Sequence, residues 1–392
     1  MDTGYPELSE VRKTLRVNWY RCPMKRGRLR ELSRRSDLQG WLQAGGHFVL
    51  FLLTGTLVFG FWWYEQWPAF LVALFCHGTV TSFFTGTAPH ELGHGTVFKT
   101  KRLNQIFMYI FSMIGWWDHF DYASSHTYHH RYTLHPEGDR ENLLPLEPSL
   151  ASTFMLQLFT INLLTQRGRT FGKGGLISTV ILTLLGAFGR VPADDRAPIN
   201  EWLKALHRDQ PEQHRQSILW SRALLIFHGA VLAIAIVSGW WVLPVIFSIS
   251  VFIANWLSYF LGMTQHCGLR EDTADFRKNT RSVRLNPLFT FLYWRMNWHI
   301  EHHMYAGVPC YNLAALYDEI QHDMPVPRTL VGAWREMREI WRRQKQDPAY
   351  VFDTPLPATA TPEPAADENE RRASSQLERS IGELAPKGLQ EG

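Results

Sequence analysis

Apolar residues in this chain are concentrated in a few runs, which polar and charged segments separate. Four of the runs, at residues 45–64, 69–88, 218–241 and 243–262, are each about long enough to cross a bilayer as a helix. Short links at residues 65–68 and around Gly239 join these runs in pairs, and tryptophans stand beside both links, as is typical of the lipid–water boundary. The pattern predicts an all-α integral membrane protein with two transmembrane helical hairpins, about four spans in all.

Other segments carry weaker patterns. The apolar stretches 106–117, 155–164 and 176–188 are too short to assign as spans, so spanning and interfacial positions both stay open for them. Residues 190–216 are polar and are interpreted as a cytoplasmic connection. Residues 312–346 alternate apolar and charged positions at helical spacing, which predicts a soluble amphipathic helical region that helps to cap the hairpins.

The charge pattern sets the expected domains and orientation. Residues 1–40 are rich in lysine and arginine directly before the first apolar run, which predicts a basic cytoplasmic N-terminal segment by the positive-inside rule. Residues 41–350 form the predicted membrane domain, and both termini are expected in the cytoplasm. From residue 351 to residue 392 proline, alanine, threonine, glutamate and serine dominate, which predicts a disordered C-terminal tail. The net charge of only +4 gives no indication of a nucleic-acid partner.

Candidate chemistry comes from histidine. Of 17 histidines, nine lie in three short motifs or directly after the last predicted span: His90 and His94 in HELGH, His126, His129 and His130 in HTYHH, His299, His302 and His303 in HIEHH, and His266. Residues three and four apart share a helix face, so each motif aims its imidazoles at one point. Chance produces one HxxHH roughly 0.03 times in such a chain, and here there are two. Neutral imidazole is a ligand for iron, zinc, copper or nickel. Nine ligands are too many for one ion, so a dinuclear metal site is expected at the cytoplasmic ends of the spans.

Residues near the motifs have weaker predictions. The carboxylates Asp118, Asp139 and Glu141, together with Glu91 and Glu301 inside the motifs, are candidates to accept the outer N–H groups of ligating imidazoles. The alternative is that they are exposed helix charges. Asn255 and Trp256, on the last predicted span, are candidates to line a substrate channel, or they simply pack. The four cysteines are scattered without a CxxC pair, which argues against a thiolate metal site.

The motifs HxxxH, HxxHH and HxxHH, each following a membrane hairpin, resemble the three histidine boxes of the membrane fatty acid desaturase/hydroxylase superfamily over about residues 45–325. The resemblance implies a non-haem di-iron centre with the eight box histidines as ligands, and His266 matches the place of a ninth. It further implies reaction with O₂, electrons from an external ferredoxin or cytochrome b5, and a lipid-like substrate that enters from the bilayer.

The sequence departs from the patterns of several known branches of this superfamily, which reduces the number of branches that it resembles. Alkane hydroxylases have different second and third boxes. Front-end desaturases usually have glutamine where this chain has His299, and they carry a cytochrome b5 domain that this sequence does not show. Acyl-CoA desaturases have a wider first box. The remaining group is the bacterial-type acyl-lipid branch, so desaturation of a fatty acyl or lipid-like chain is the predicted reaction. A hydroxylase or ketolase of the same superfamily is the main alternative. A histidine-rich metal transporter is a distant alternative, because a transporter is expected to place ionisable residues within the spans, whereas these motifs cluster at the ends of the spans on one side.

Overall fold

The structure, a computed structural model, describes residues 5–141, 147–165, 174–192 and 198–363. These residues are mostly helical. In the first half of the chain the helices are α1 (Leu8–Thr14), α2 (Arg26–Leu32), α3 (Asp37–Gly40), α4 (Gly46–Trp63), α5 (Trp67–Thr81), α6 (Thr87–Gly93), α7 (Lys101–Ile114), α8 (His119–Tyr132), α9 (Ser152–Phe159) and α10 (Leu176–Ala187). A π-helical turn (Trp41–Gly45) joins α3 to α4, and a 3-10 turn (Ser82–Phe84) follows α5.

The second half continues with α11 (Pro198–Asp209), α12 (Pro211–Ser238), α13 (Val242–Pro244), α14 (Trp256–Gly262), α15 (Phe276–Asn279), α16 (Pro287–Leu292), α17 (His299–Met304), α18 (Leu313–Ile320) and α19 (Leu330–Gln346). A π turn (Val245–Ile249) and 3-10 turns (Ser250–Phe252, Cys310–Asn312, Gln321–Asp323) complete the helical part. Strands β1 (Val283–Arg284) and β2 (Arg328–Thr329) form a small parallel pair, with Val283 opposite Arg328.

Three helical stretches among the described residues are long and apolar enough to cross a membrane: Asp37–Trp63, Trp67–Gly93 and Pro211–Ser238. The first two pair as the predicted hairpin, and Glu65 takes a left-handed backbone conformation (φ 54°) in their link. Large apolar side chains on these stretches face outward, and Val237 remains 90% exposed. Exposed surface of this kind is suited to lipid rather than water.

The predicted fourth span, residues 243–262, is not one continuous helix. After α13 and the two short turns the helix stops at Ile253, Ala254 has φ 46°, and α14 starts only at Trp256. The interruption is held by neighbouring backbone, because Ile253 forms an antiparallel bridge with Ile161. Gly78 in α5 permits this approach, since a Cβ there would lie 2.2 Å from the Ile253 carbonyl oxygen. The apolar run therefore gives the helical stretch Val242–Phe252, shorter than the three above, and a separate α14.

The short apolar segments form helices of their own. Residues 106–117 fall mostly in α7, which buries Phe107 and Phe111 on one face and exposes Ile106 and Tyr109 on the other. Residues 155–164 begin in α9 and continue as the extended segment that pairs at the interruption. Residues 176–188 form α10, a 12-residue helix that packs along α12. All three are shorter than the stretches suited to crossing a membrane.

The two hairpin links lie at the same end of the helices, where aromatic rings from both hairpins meet. Trp62 contacts Trp241 with ring centroids 5.7 Å apart, and Trp63 contacts Trp240 at 6.2 Å. From Trp67 to His90 the chain rises roughly 35 Å at 1.5 Å per residue, enough to cross the hydrocarbon core of a bilayer, which is about 30 Å thick. The histidine motifs therefore lie at the opposite end, beside α15 to α19.

Three further histidines lie within the membrane-spanning helices and connect them through hydrogen bonds. His47 on α4 bonds the Val80 carbonyl at 3.0 Å, and His77 on α5 contacts the Thr54 hydroxyl at 2.8 Å. His228 on α12 contacts the Ser248 hydroxyl at 2.9 Å. Each imidazole has a protein partner, as is usual for a buried histidine with a structural role.

Part of the predicted C-terminal tail is packed against the protein. Residues 353–363 lie along the segment between α14 and β1, and the Glu363 carboxylate accepts a hydrogen bond from Arg270 at 3.0 Å. The expectation of disorder from residue 351 thus differs from the structure up to Glu363, because a charged contact and several backbone contacts anchor this stretch. Residues 364–392 lie outside the described residues.

Candidate metal centre

The three histidine motifs are each carried by a short helix at the same end of the hairpins. His90 lies in α6, the helix that begins directly after Gly86 (φ 86°), and His94 follows the last turn of α6. The second motif occupies the last two turns of α8, and the third begins α17. His266 lies four residues after α14. The turn at Gly86 is the local feature that redirects the chain and points the first motif toward the other two.

The nine predicted ligands converge as two adjacent groups. One group has five members, His90, His94, His126, His130 and His302, and the other has four, His129, His266, His299 and His303. Within each group the candidate ligand atoms lie within 4.8 Å of one another. His129 and His130 are sequence neighbours that belong to different groups, so helix α8 contributes to both. This division matches two metal ions with four or five nitrogen ligands each.

The hydrogen bonds of the four-histidine group leave bare nitrogens pointing inward. His266 Nδ1 donates to the Asn279 carbonyl at 2.9 Å, and His129 Nδ1 lies 2.8 Å from the Asp139 carboxylate. These acceptors hold the proton on Nδ1, which leaves Nε2 with a lone pair. His129 Nε2 nevertheless faces His303 Nε2 at 3.2 Å, and His266 Nε2 faces His299 Nε2 at 3.0 Å. A bound cation relieves the repulsion of such converging lone pairs.

The five-histidine group shows the same arrangement. His90 Nδ1 lies 2.9 Å from Glu91, and His126 Nδ1 lies 3.2 Å from Glu141. The Nε2 atoms of His90, His94 and His126 are buried and have no hydrogen-bond partner among the described residues. Because buried polar atoms are nearly always paired, several orphaned nitrogens aimed at one point fit a metal ion.

Burial also keeps the imidazoles in the form that binds metal. Burial lowers the pKa of His94 to about 4 and that of His266 to about 3, so both are neutral at physiological pH. Burial alone would lower the pKa of His129 too, but the Asp139 carboxylate outweighs it and raises that pKa. Asp139 therefore makes the four-histidine group attractive to positive charge. Burial raises the pKa of Glu141 to about 7.

Of the three predicted carboxylate partners near the second motif, two contact histidines of the two groups, whereas the third contacts other residues. Asp139 and Glu141 contact His129 and His126 as expected. Asp118 instead caps α8, where it accepts hydrogen bonds from the backbone N–H of Phe120 and Asp121, and it also accepts one from the Ser217 hydroxyl at 2.7 Å. Asp118 precedes the helix by one residue, so its side chain reaches the free N–H groups of the first turn.

Glu91 and Glu301, the acidic residues inside the motifs, have different neighbours. Glu91 lies between two members of the five-histidine group, 2.9 Å from His90 and 3.5 Å from His302. Glu301 accepts a hydrogen bond from the Ser282 hydroxyl at 2.6 Å. The carbonyl of Asn279 and the hydroxyl of Thr133, which lies 3.3 Å from His303 Nδ1, are partners that sequence reasoning missed. Every residue has a backbone carbonyl, so no sequence motif identifies the Asn279 carbonyl as a hydrogen-bond partner.

A cavity opens beside both histidine groups. His90 and His126 line it from one group, and His129 and His299 line it from the other. Its wall also contains the predicted channel residue Asn255, whose Oδ1 atom is buried and finds no hydrogen-bond partner in the described part of the chain. Trp256, the other predicted channel residue, is not part of the cavity lining: its ring stacks on Phe159 at 5.3 Å. The interruption before α14 turns these two neighbours in different directions.

Helices of membrane-spanning length with two histidine groups at one end define a membrane protein equipped to bind metal ions. The sequence model of the fatty acid desaturase family matches residues 65–331, two thirds of the chain, and covers all nine histidines. The chain belongs to this family, which typically uses iron, and its likeness to the membrane desaturase/hydroxylase superfamily is confirmed. No curated protein matches the chain.

Proposed function

We propose that this protein is an O₂-dependent membrane desaturase that uses two iron ions to introduce a double bond into a fatty acyl or lipid-like chain. The observation that carries the proposal is the pair of buried histidine groups beside one cavity, at the end of helices suited to a bilayer. Family membership supports oxidoreductase chemistry and a lipid substrate. When bound, two iron ions would activate O₂, and O₂ together with two electrons from the external donor would supply the oxidising power that removes two hydrogen atoms from the chain, and would leave as water.

The residues of this chain hold and orient the two ions. The ligands are the five histidines of one group and the four of the other, including His266. Asp139, Glu141 and Glu91 keep the protons of three ligands on Nδ1, so their Nε2 atoms face the metals. Burial of the ligands excludes water from their inner side, and Asn255 lines the cavity that would receive the substrate chain.

The proposed orientation places the metal centre and both termini in the cytoplasm. The exposed cations of the N-terminal segment support it, because basic residues before the first span favour that side: Arg21, Lys25, Arg26, Arg30, Arg34 and Arg35. Electrons come from an external ferredoxin or cytochrome b5, whose acidic surface is complementary to these cations. A labelling experiment on single cysteines in the segment and in the hairpin links tests the orientation, and labelling of the segment from outside intact cells contradicts it.

The reaction is tested by expressing the protein with an electron donor and analysing extracted lipids by mass spectrometry. Desaturation gives an O₂-dependent product that lacks two hydrogen atoms. A product that gains one oxygen atom instead identifies a hydroxylase, the main alternative within the superfamily. The absence of any O₂-dependent product, together with purified protein that binds no iron, contradicts an oxidase of either kind.

A metal transporter predicts a different result, because transport requires the ions to leave the protein. Under the proposed function, iron bound to the purified protein exchanges slowly and does not accumulate across vesicle membranes. The hydrogen-bonded histidines within the spans support the proposal. Iron uptake into vesicles that contain the protein contradicts it.

A further inference from the structure

Residues 353–363, here called the strap, follow α19 and cross the segment that connects α14 to β1. Within that segment, residues 273–281 are here called the backing loop. The strap binds the loop and its flank through charges and backbone groups. Asp353 pairs with Lys278 at 2.7 Å, and Glu363 accepts hydrogen bonds from Arg270 at 3.0 Å and from the Thr273 hydroxyl at 2.6 Å. The strap contains no histidine, so the histidine motifs alone assign it no role in metal binding.

Within the part of the chain that the structure describes, the histidines that the backing loop contacts directly belong to the four-histidine group. Its Asn279 carbonyl accepts the Nδ1 proton of His266 at 2.9 Å, and its Phe276 ring lies 5.3 Å from the ring of His303. Asn279 Nδ2 also donates to the Thr133 carbonyl at 3.2 Å, which ties the loop to the end of α8. The five-histidine group has other supports, the Glu91 and Glu141 carboxylates, which lie in and directly after the motif-bearing segments.

Lys278 is the residue through which the strap acts most directly on the loop. It is 7% exposed, and the two hydrogen-bond acceptors that the described residues give its ammonium group both belong to the strap: the Asp353 carboxylate at 2.7 Å and the Thr354 carbonyl at 2.9 Å. A buried ammonium group without partners is costly and moves toward water. Because Lys278 directly precedes Asn279, such a movement displaces the carbonyl that orients His266.

Arg277, the next residue toward the N-terminus, is joined to the strap as well. Its Nη2 atom donates to the Thr361 carbonyl at 2.9 Å, while the Thr361 N–H donates to Asp323 at 2.7 Å. Arg277 keeps Asp275 and Asp323 as ion-pair partners without the strap. The loss of the strap therefore loosens the backing loop at Lys278 and leaves its anchor at Arg277 largely in place, so local displacement is expected and not general unfolding.

We propose that the strap is a positioning element for the four-histidine metal site, and that it sets the affinity of that site while leaving the five-histidine site unchanged. This inference rests on the proposed two-metal centre. Loss of a group that orients a ligating histidine typically weakens metal binding by about 10–100-fold. A drop of that size is expected at the four-histidine site when the strap is removed.

The test compares three chains in detergent, each made metal-free and titrated anaerobically with Fe(II): the full chain, a variant that ends at Phe352, and a control that ends at Glu363. Bound iron is counted, and Mössbauer spectra distinguish the two sites. The full chain and the control bind two irons per chain with equal affinities. The variant that ends at Phe352 binds one iron as tightly as the control and the second about 10–100-fold more weakly.

A second variant keeps the strap but removes its charges, Asp353→Asn with Glu363→Gln, so a folding defect of the truncated chain does not decide the result. The same site weakens in this variant, by less. Glu339→Gln, in an exposed cluster with Arg342 and Arg343 on α19, is the matched charge control and leaves both affinities unchanged. Equal affinities in all variants, or equal weakening of both sites, overturn the inference. A full chain that binds no iron pair instead overturns the proposed function and this inference with it.

Discussion

Replacement of Asp139 by asparagine is expected to weaken one metal site selectively. Asp139 is 2% exposed, and its two oxygens accept three N–H groups: His129 Nδ1 at 2.8 Å, Leu134 N at 3.0 Å and Glu141 N at 3.0 Å. Asparagine keeps the shape but offers one oxygen, so its NH₂ group must face at least one of these donors. The negative charge that favours a cation at His129 is lost as well.

Two different quantities are expected to fall. A buried donor left without an acceptor costs about 1–3 kcal/mol of folding stability, with or without metal. Loss of a carboxylate that orients a ligating histidine costs about 10–100-fold in metal affinity, which is about 1.4–2.8 kcal/mol. Asp139→Asn should therefore weaken iron binding at the four-histidine site by about 10–100-fold.

The assay is competition for Fe(II) between the metal-free protein and a chelator, with Mössbauer spectra to identify the weakened site. Glu141→Gln is the mirror variant, because Glu141 contacts His126 of the five-histidine group. Each variant should weaken its own site more than the other site, and some effect on the second site is expected because Asp139 accepts the Glu141 N–H. Unchanged affinity in Asp139→Asn, or equal weakening of both sites by either variant, would refute the assignment of these carboxylates.

Three more substitutions test other parts of the structure. His302→Ala removes a member of the five-histidine group and should abolish product formation in the lipid assay together with one bound iron. His119→Phe should make the stability of the protein less sensitive to acid. Burial lowers the pKa of His119 from 6.5 to about 4, so between these pH values the unfolded state binds a proton that the folded state does not. This difference lowers the stability of the wild-type protein by about 2 kcal/mol at pH 5. Thermal unfolding at pH 7.5 and 5 measures that difference. Gly78→Ala places a methyl group 2.2 Å from the Ile253 carbonyl and should cost about 1–3 kcal/mol of stability, again by thermal unfolding.

Matched controls accompany these variants. His322→Ala removes an exposed histidine outside both groups and should leave activity and iron content unchanged. Gly60→Ala adds a methyl group with nothing within 4 Å and should be neutral or stabilising by up to about 1 kcal/mol. Full activity in His302→Ala, equal acid sensitivity in His119→Phe, or an unchanged unfolding temperature in Gly78→Ala would each contradict its prediction.

The histidine site was predictable because its signal is local. Motifs such as HTYHH place their imidazoles on one helix face whatever the rest of the chain does, and the structure brings all nine predicted histidines together. His266 has no spacing signature of its own, and its assignment depended on the resemblance to the histidine-box superfamily. The spacing of the motifs did not show that the nine histidines divide into groups of five and four. This division separates the sequence neighbours His129 and His130, and it depends on how α8 packs between α6 and α17.

The fold was predictable where hydrophobicity alone decides it. The first hairpin follows from two long apolar runs, whereas the interruption at Ile253 depends on a bridge to Ile161 and on the small residue Gly78, both distant in sequence. The role of Asp118 was misplaced for a similar reason, since a carboxylate beside a motif can cap its helix as readily as contact an imidazole. The packed strap was missed because its composition is that of a disordered segment, and its order comes from partners such as Lys278.

The central claim is that this chain holds two iron ions in its two histidine groups. Anaerobic titration of the metal-free full chain with Fe(II), followed by Mössbauer spectroscopy, tests it most directly. The account predicts saturation at two equivalents per chain, with two iron sites that differ in coordination because one group has five histidines and the other four. Saturation at one equivalent, or no tight binding of iron at all, would contradict it.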